Sequence, residues 1–225
     1  MHPLDIPVWS ALNTYLAPLA SGNDRALRFA PQINLFAACR SDSPADLQAL
    51  ADLFAPGETM LTLQAHQMPP VPGMVLQRAG QCVQMLAQDV PQVDSSLPMY
   101  ALGAADAADM LALAELTEPG PFLPQTWRIG QFYGVRLDGR LAAMAGMRHH
   151  FPGYCEVSGV CVHPDLRGQG LARMLSAKVA AQILARGEQP FLHAWEDNQA
   201  AQALYHSLGF HIRGKMWASA LRKAD

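Results

Sequence analysis

The chain has 225 residues, half of them hydrophobic and only 16% charged, which is the composition of a folded globular protein and excludes a disordered one. A formal net charge of −3 leaves no basic footprint, so nucleic acid is not an expected partner. No apolar run is long enough for a membrane span, and the start, M-H-P-L-D-I-P-V-W, lacks the basic and apolar regions of a signal peptide, so a cytoplasmic protein without membrane contact is expected.

Taken in order, Trp9, Leu12, Leu16 and Leu19 have helical spacing over 8–19, and Ile33 to Ala38 is a short apolar run that could be a strand. Ser43-Pro44 opens a helix with Leu47, Leu50 and Phe54 on one face, ended by Pro56-Gly57. Thr59 to Ala65 reads as a strand, Met68 to Gly73 as a rigid proline connector, and Met74 to Gln88 as either strand or helix. Pro91 to Pro98, with Asp94-Ser95-Ser96, is the expected domain boundary, dividing the chain into 1–96 and 97–225.

Beyond it, Met99 to Leu102 reads as a strand and Ala107 to Leu116 as a helix, followed by the loop Glu118 to Pro124. Gln131 to Arg136 and Leu141 to Arg148 are strands joined by Asp138-Gly139, a hairpin signal. A helix over 171–186 stops at Gly187, a strand runs from Phe191 to Trp195, and Phe210 to Ile212 and Lys215 to Leu221 read as a closing hairpin through Gly214. Cys39, Cys82, Cys155 and Cys161 show no C-x-x-C spacing and read as reduced, buried thiols. His149 and His150, adjacent on a strand, point to opposite faces, and no metal site is expected.

The most informative stretch is Glu156 to Ala172, E-V-S-G-V-C-V-H-P-D-L-R-G-Q-G-L-A. A β-branched run (Val157, Val160, Val162) stops at His163-Pro164, passes through Gly168 and Gly170, and becomes an apolar-periodic helix from Leu171. Unpaired N–H groups at that helix start, its dipole and the charge of Arg167 form an anion cradle. The letters of neither a P-loop nor a dinucleotide fingerprint are present.

What is present, R-x-x-G-x-A from Arg167 to Ala172 preceded by V-x-V-x-P, resembles the acyl-CoA pyrophosphate motif of the GNAT superfamily of N-acetyltransferases. Downstream, Asn198, Ala201, Tyr205, Gly209 and Phe210 match a second GNAT pattern, N-x-x-A-x-x-x-Y-x-x-x-G-F. The segments E-P-G-P-F, M-A-G-M-R and W-E-D-N resemble a bacterial branch related to glycine N-acyltransferases.

This resemblance implies an α/β GNAT fold, a mixed central sheet flanked by helices, over 97–225. It also implies an N-terminal α/β accessory half that is a degenerate second copy. That half has no R-x-x-G-x-G/A, so it is expected to bind no CoA, to cover a sheet edge and to help wall the acceptor pocket, the other reading being a purely stabilising extension. The implied activity is transfer of an acetyl or short acyl group from acetyl-CoA to a primary amine of a small molecule. A silent acyl-CoA-binding sensor and a protein N-acetyltransferase are the alternatives, and monomer and homodimer both stay open.

The cofactor contacts carried over by the motifs are Val160, Cys161, Val162, Arg167, Gly168, Gln169, Gly170, Leu171, Ala172, Asn198 and Tyr205. The thioester arm is expected to pair with the strand backbone from Val160 to Val162 as an added strand, Gly159 supplying a bulge that opens the slot, while a backbone N–H there faces the oxyanion. Tyr205 is the candidate general acid for the departing thiolate, its other reading being a packing residue. Glu156, acting through water, is the candidate base, with His193 in reserve; a solvated strand-end carboxylate and a satisfied core histidine are the bland readings.

Overall fold

The computed structural model describes residues 2–93 and 97–225, so Asp94, Ser95 and Ser96 at the centre of the expected boundary lie outside the described residues. The elements are α1 (Pro7–Leu12), β1 (Ala20–Gly22), β2 (Ala26–Phe29), β3 (Ala37–Cys39), α2 (Pro44–Asp52), β4 (Thr59–Gln64), β5 (Met74–Leu86) and β6 (Tyr100–Leu102). They continue with α3 (Ala107–Thr117), β7 (Phe132–Leu137), β8 (Arg140–Phe151), β9 (Tyr154–Val162), α4 (Leu171–Leu184), β10 (Gln189–Trp195), α5 (Gln199–His206) and β11 (His211–Lys223).

β1, β2 and β3 form a small antiparallel sheet, and the other strands form one eight-stranded sheet in the order β4-β11-β5-β10-β9-β8-β7-β6. Its neighbours are antiparallel except β9 and β10, which α4 connects as a crossover because parallel partners cannot be joined by a tight turn. The β7–β8 reversal uses Asp138 and Gly139, both at positive φ, as its primed-turn letters predict.

The two sequence halves share their core. Val83, Met85 and Ala87 of the first half pack in one cluster with Val157, Leu175 and Phe210 of the second. Leu4, Val8 and Leu12 pack with Phe151, Phe191 and Met216. The described residues of 1–96 therefore do not build their own copy of the large sheet. β5 is inserted between β10 and β11, so a chain beginning near residue 94 would lose a central strand.

Three local expectations change for physical reasons. The helix over 8–19 ends at Leu12, after which Asn13 to Leu16 turn into a short 3-10 segment around Pro18. The ambiguous 74–88 stretch is a strand: its first half leaves Val75 and Leu76 exposed and its second half is buried, so no single period runs through it. The chain does not reverse at Gly214. β11 is one strand with a register shift between Ile212 and Gly214, because β5 offers a partner all the way from Leu86 opposite His211 to Met74 opposite Lys223.

Candidate active site

The site is built around a fork. β9 and β10 pair only through Tyr154, Cys155 and Glu156, opposite Gln189, Pro190 and Phe191. Beyond Glu156, β10 continues along β5 as far as Trp195 opposite Cys82, while β9 stays with β8 as far as Val162 opposite Ala143. Among the described residues, the β9 edge facing the opening is left without a strand partner, as strand addition requires. The register of β8 and β9 shifts between the pairs Met144–Cys161 and Gly146–Ser158, which is the expected bulge at Gly159. Gly159 has a φ of 60°, and a Cβ there would lie 2.9 Å from the Phe132 ring, so both conformation and space select glycine.

A second bulge lies closer to the hairpin end. Between the pairs Met147–Val157 and His150–Cys155, β8 has two residues, Arg148 and His149, where β9 has only Glu156. Strict alternation would send adjacent side chains apart; the bulge turns both toward one carboxylate. Arg148 Nε and Nη2 donate to Glu156 Oε2 and Oε1 at 2.8 and 2.7 Å, and the His149 backbone N–H donates to Oε2 at 3.3 Å. His149 Nδ1 lies 2.8 Å from Oε2, outside hydrogen-bonding alignment. On the fork's other arm, His193 Nδ1 is 2.7 Å from Oε1.

The roles in this network are determined by its outer members. The Gln84 amide N–H groups donate to the Leu4 carbonyl at 2.9 Å and meet His193 Nε2 at 3.1 Å, while its Oε1 accepts from Arg213 at 2.9 Å. Gln84 cannot exchange its ends without losing both outer bonds, so His193 Nε2 is the acceptor and His193 Nδ1 donates to Glu156. Both ring nitrogens of the reserve base are thus occupied. Glu156 is not a solvated strand-end carboxylate; it is fully buried. Burial pushes its carboxyl up, but the charge and hydrogen bonds of Arg148, with His149 beside it, overcome this and hold it well below the usual range.

His149, buried against Phe29 and Phe36, is pushed down to about 4, chiefly by desolvation. Between that value and the ordinary 6.5, the unfolded chain binds a proton that the folded chain refuses, so stability is fully present above pH 6.5 and falls on acidification toward pH 4. The loss is expected to reach the order of 3 kcal/mol. Glu156 adds a loss with the same sign at lower pH, as its folded carboxylate protonates. Urea unfolding between pH 7.5 and 4.5 measures the slope, and His149→Phe should flatten it; a pH-independent wild type would refute the assignment.

The turn that an anion cradle needs is present. Gly168 and Gly170 both have a φ of 78°, and the N–H groups from Gly168 to Arg173 have no backbone acceptor among the described residues, the first helical bond being Met174 N–H to the Gly170 carbonyl. Arg167 and Gln169 are exposed at its rim, Ala172 is half-buried, and Leu171 anchors the start of α4 in the core. Gly170→Asp would force an L-residue into a left-handed conformation and set a negative charge at the expected anion site. At least a tenfold loss of acetyl-CoA affinity in a folded protein is expected by calorimetry; unchanged affinity would sink the cradle.

Val160, Val162 and Tyr205 of α5 each pack against the cluster that holds Leu171 and Leu175 of α4, whereas Cys161 belongs to the cluster around Phe132 and Met144. Asn198 caps α5, its Oδ1 accepting from Ala201 N–H at 3.0 Å. Tyr205 is half-buried beside Phe210, its hydroxyl without a hydrogen-bond partner among the described residues. Desolvation, aided by Cys161 and Glu156, raises it to about 12.

Next to Arg148 and Gly159 a narrow crevice is lined by Pro121, Phe122, Ile129 and Phe132. Its loop is tied to the N-terminal half, with Gln125 N–H donating to the Gln32 carbonyl and Thr126 Oγ1 to the Ile33 carbonyl at 2.6 Å. Sequence reading missed Arg148, Gln84 and Arg213. Counting back from the Pro152-Gly153 turn sets His149 opposite Glu156, and only the bulge adds Arg148; Gln84 reaches the site through its pairing opposite His193 and Arg213 through the long β5–β11 pairing.

Among the described residues no helix is long and apolar enough to cross a membrane. A family model described as FR47-like protein matches residues 132–218. A search of the curated proteins finds no match. Among solved structures, a protein from Novosphingobium aromaticivorans described as an acetyltransferase from the GNAT family is 43% identical, with 100% of both chains covered and a TM-score of 0.93. A GCN5-related N-acetyltransferase from Kribbella flavida, 19% identical, covers 97% of this chain and 95% of its own with a TM-score of 0.65. A GCN5-related N-acetyltransferase-like protein from Streptococcus suis, 16% identical, covers 96% and 92% with a TM-score of 0.57; these two share the fold. With the fork, the bulge at Gly159 and the cradle in place, full-length identity at this level shows that the chain belongs to the GNAT superfamily of acetyltransferases.

Proposed function

We propose that the protein transfers an acetyl group from acetyl-CoA to the primary amine of a small molecule. The carrying observation is the open edge of β9, where a thioester arm can pair, next to a crevice at Gly159 bordered by Pro119, Gly120 and Pro121 that leaves no width for a polypeptide segment. The cradle at α4 would hold the pyrophosphate, and the thioester arm would add to β9 along Val160 to Val162. The amine nitrogen attacks the thioester carbon, the C–N bond forms, and collapse breaks the C–S bond. Tyr205, whose raised pKa keeps its proton at neutral pH, gives it to the departing thiolate and is restored by the proton that the new amide nitrogen sheds.

Glu156 stays ionised with its oxygens held by Arg148, His149 and His193, so it lends negative charge to the site while the ammonium form of the acceptor loses its proton to water. The pH dependence of kcat/KM is then that of the amine, rising until the amine is deprotonated, with no limb from Glu156 in the neutral range. The test is thiol release over a panel of small amines and short peptides at several pH values. Turnover with a small amine is expected. Acetyl-CoA binding without turnover on any acceptor would overturn the reading in favour of a sensor, and turnover on peptides alone in favour of protein acetylation.

A further inference from the structure

At the closed end of the fork, on a face the chemistry above does not use, three ligating side chains converge from three elements. His150 is near the end of β8, Cys155 sits opposite it across the β8–β9 hairpin, and Glu188 lies just before β10 in the connection from α4. The donor atoms of the three lie within 4.8 Å of one another. His150 Nε2 and Glu188 Oε1 are 2.7 Å apart. That contact leaves the set incomplete, because Glu188 Oε2 is buried without a hydrogen-bond partner among the described residues and Cys155 is a fully buried free thiol. A buried carboxylate oxygen with nothing to bind is a cost that native structures normally meet with a water or an ion.

We infer that His150, Cys155 and Glu188 bind a zinc ion, with water in the fourth position. The donor set chooses the metal: a thiolate sulfur excludes magnesium and calcium, and one nitrogen, one sulfur and one oxygen suit tetrahedral zinc. At zinc bond lengths of about 2.0–2.3 Å, tetrahedral ligand atoms stand about 3.4 Å apart. The present cluster therefore needs the His150–Glu188 contact to open by some tenths of an ångström. On loading, the Cys155 S–H bond gives its proton to solvent and the S–Zn bond forms, so that one thiolate and one carboxylate balance the two positive charges.

The position gives the ion a structural task. β9 and β10 pair over only three residues, and there the residue opposite Cys155 is Pro190, which has no N–H to donate. Ligands from β8, β9 and the start of β10 would staple the fork where its backbone pairing is weakest, while the arms remain open at Gly159. His150 is partly exposed, with Tyr15 edge-on at 4.7 Å, so an ion can reach the cluster without unfolding.

The test uses the full chain, stripped with a chelator and titrated with zinc and separately with cobalt. One equivalent of zinc by elemental analysis and a sulfur-to-cobalt charge-transfer band are expected. Cys155→Ser should abolish the band and Cys39→Ser should keep it. Glu188→Gln, nearly isosteric and safe for folding should Cys155→Ser fail to fold, should weaken zinc at least tenfold. Less than 0.1 equivalent of zinc on the stripped wild type, a band that survives Cys155→Ser, or unchanged affinity in Glu188→Gln would each overturn the site. None of these readouts depends on the acceptor or on turnover.

Discussion

Replacing Arg148 by alanine is expected to destabilise the protein by about 3–5 kcal/mol, the usual cost of leaving a buried charge without its partner. Arg148 provides both charged hydrogen bonds of a bidentate pair to Glu156, whose side chain is 1% exposed. Water cannot replace them there. With Arg148 gone, desolvation dominates and the Glu156 carboxyl should move from well below its ordinary value to above it, making stability fall as pH rises through the new value. Glu156→Gln in the same chain removes the stranded charge, so the double variant should recover part of the loss, the signature of direct coupling. Urea unfolding of the wild type, both single variants and the double variant measures the cycle. A loss below 1 kcal/mol in Arg148→Ala, or strictly additive effects, would show that the carboxylate is satisfied by other means.

Tyr205→Phe is expected to lower kcat by ~10²-fold or more while changing the KM for acetyl-CoA little, because a proton donor to the departing sulfur acts only as the C–S bond breaks. The substitution keeps the ring that packs against Phe210 and the α4 cluster, so folding should be preserved. It removes a hydroxyl that has no hydrogen-bond partner among the described residues and whose pKa is raised to about 12. Steady-state kinetics with saturating amine check the split between the two constants. Wild-type kcat would remove Tyr205 from the reaction, and a rise in KM with unchanged kcat would reduce it to a cofactor contact.

What the sequence determined by itself is what lies within a short span of chain. Gly168 and Gly170 must turn where only positive φ serves, Leu171 must begin a helix because apolar residues recur at its period, Asn198 caps its own helix, and Asp138-Gly139 closes its own hairpin. Each is decided by neighbours a few residues away, so letters suffice. What only the tertiary structure decided are the long-range pairings. Whether Met74 to Leu86 is strand or helix depends on β10 and β11 lying on either side of it, and whether Gly214 turns or bulges depends on the same partner. The character of Glu156 was undecidable for the same reason. A glutamate at a strand end is solvated by default, and its buried pairing comes from a bulge that turns Arg148 and His149 together, from His193 across the fork, and from Gln84, which reaches the site 72 positions earlier in the chain. Burial and partner geometry set an acidity constant, and neither is written in a residue's own neighbourhood.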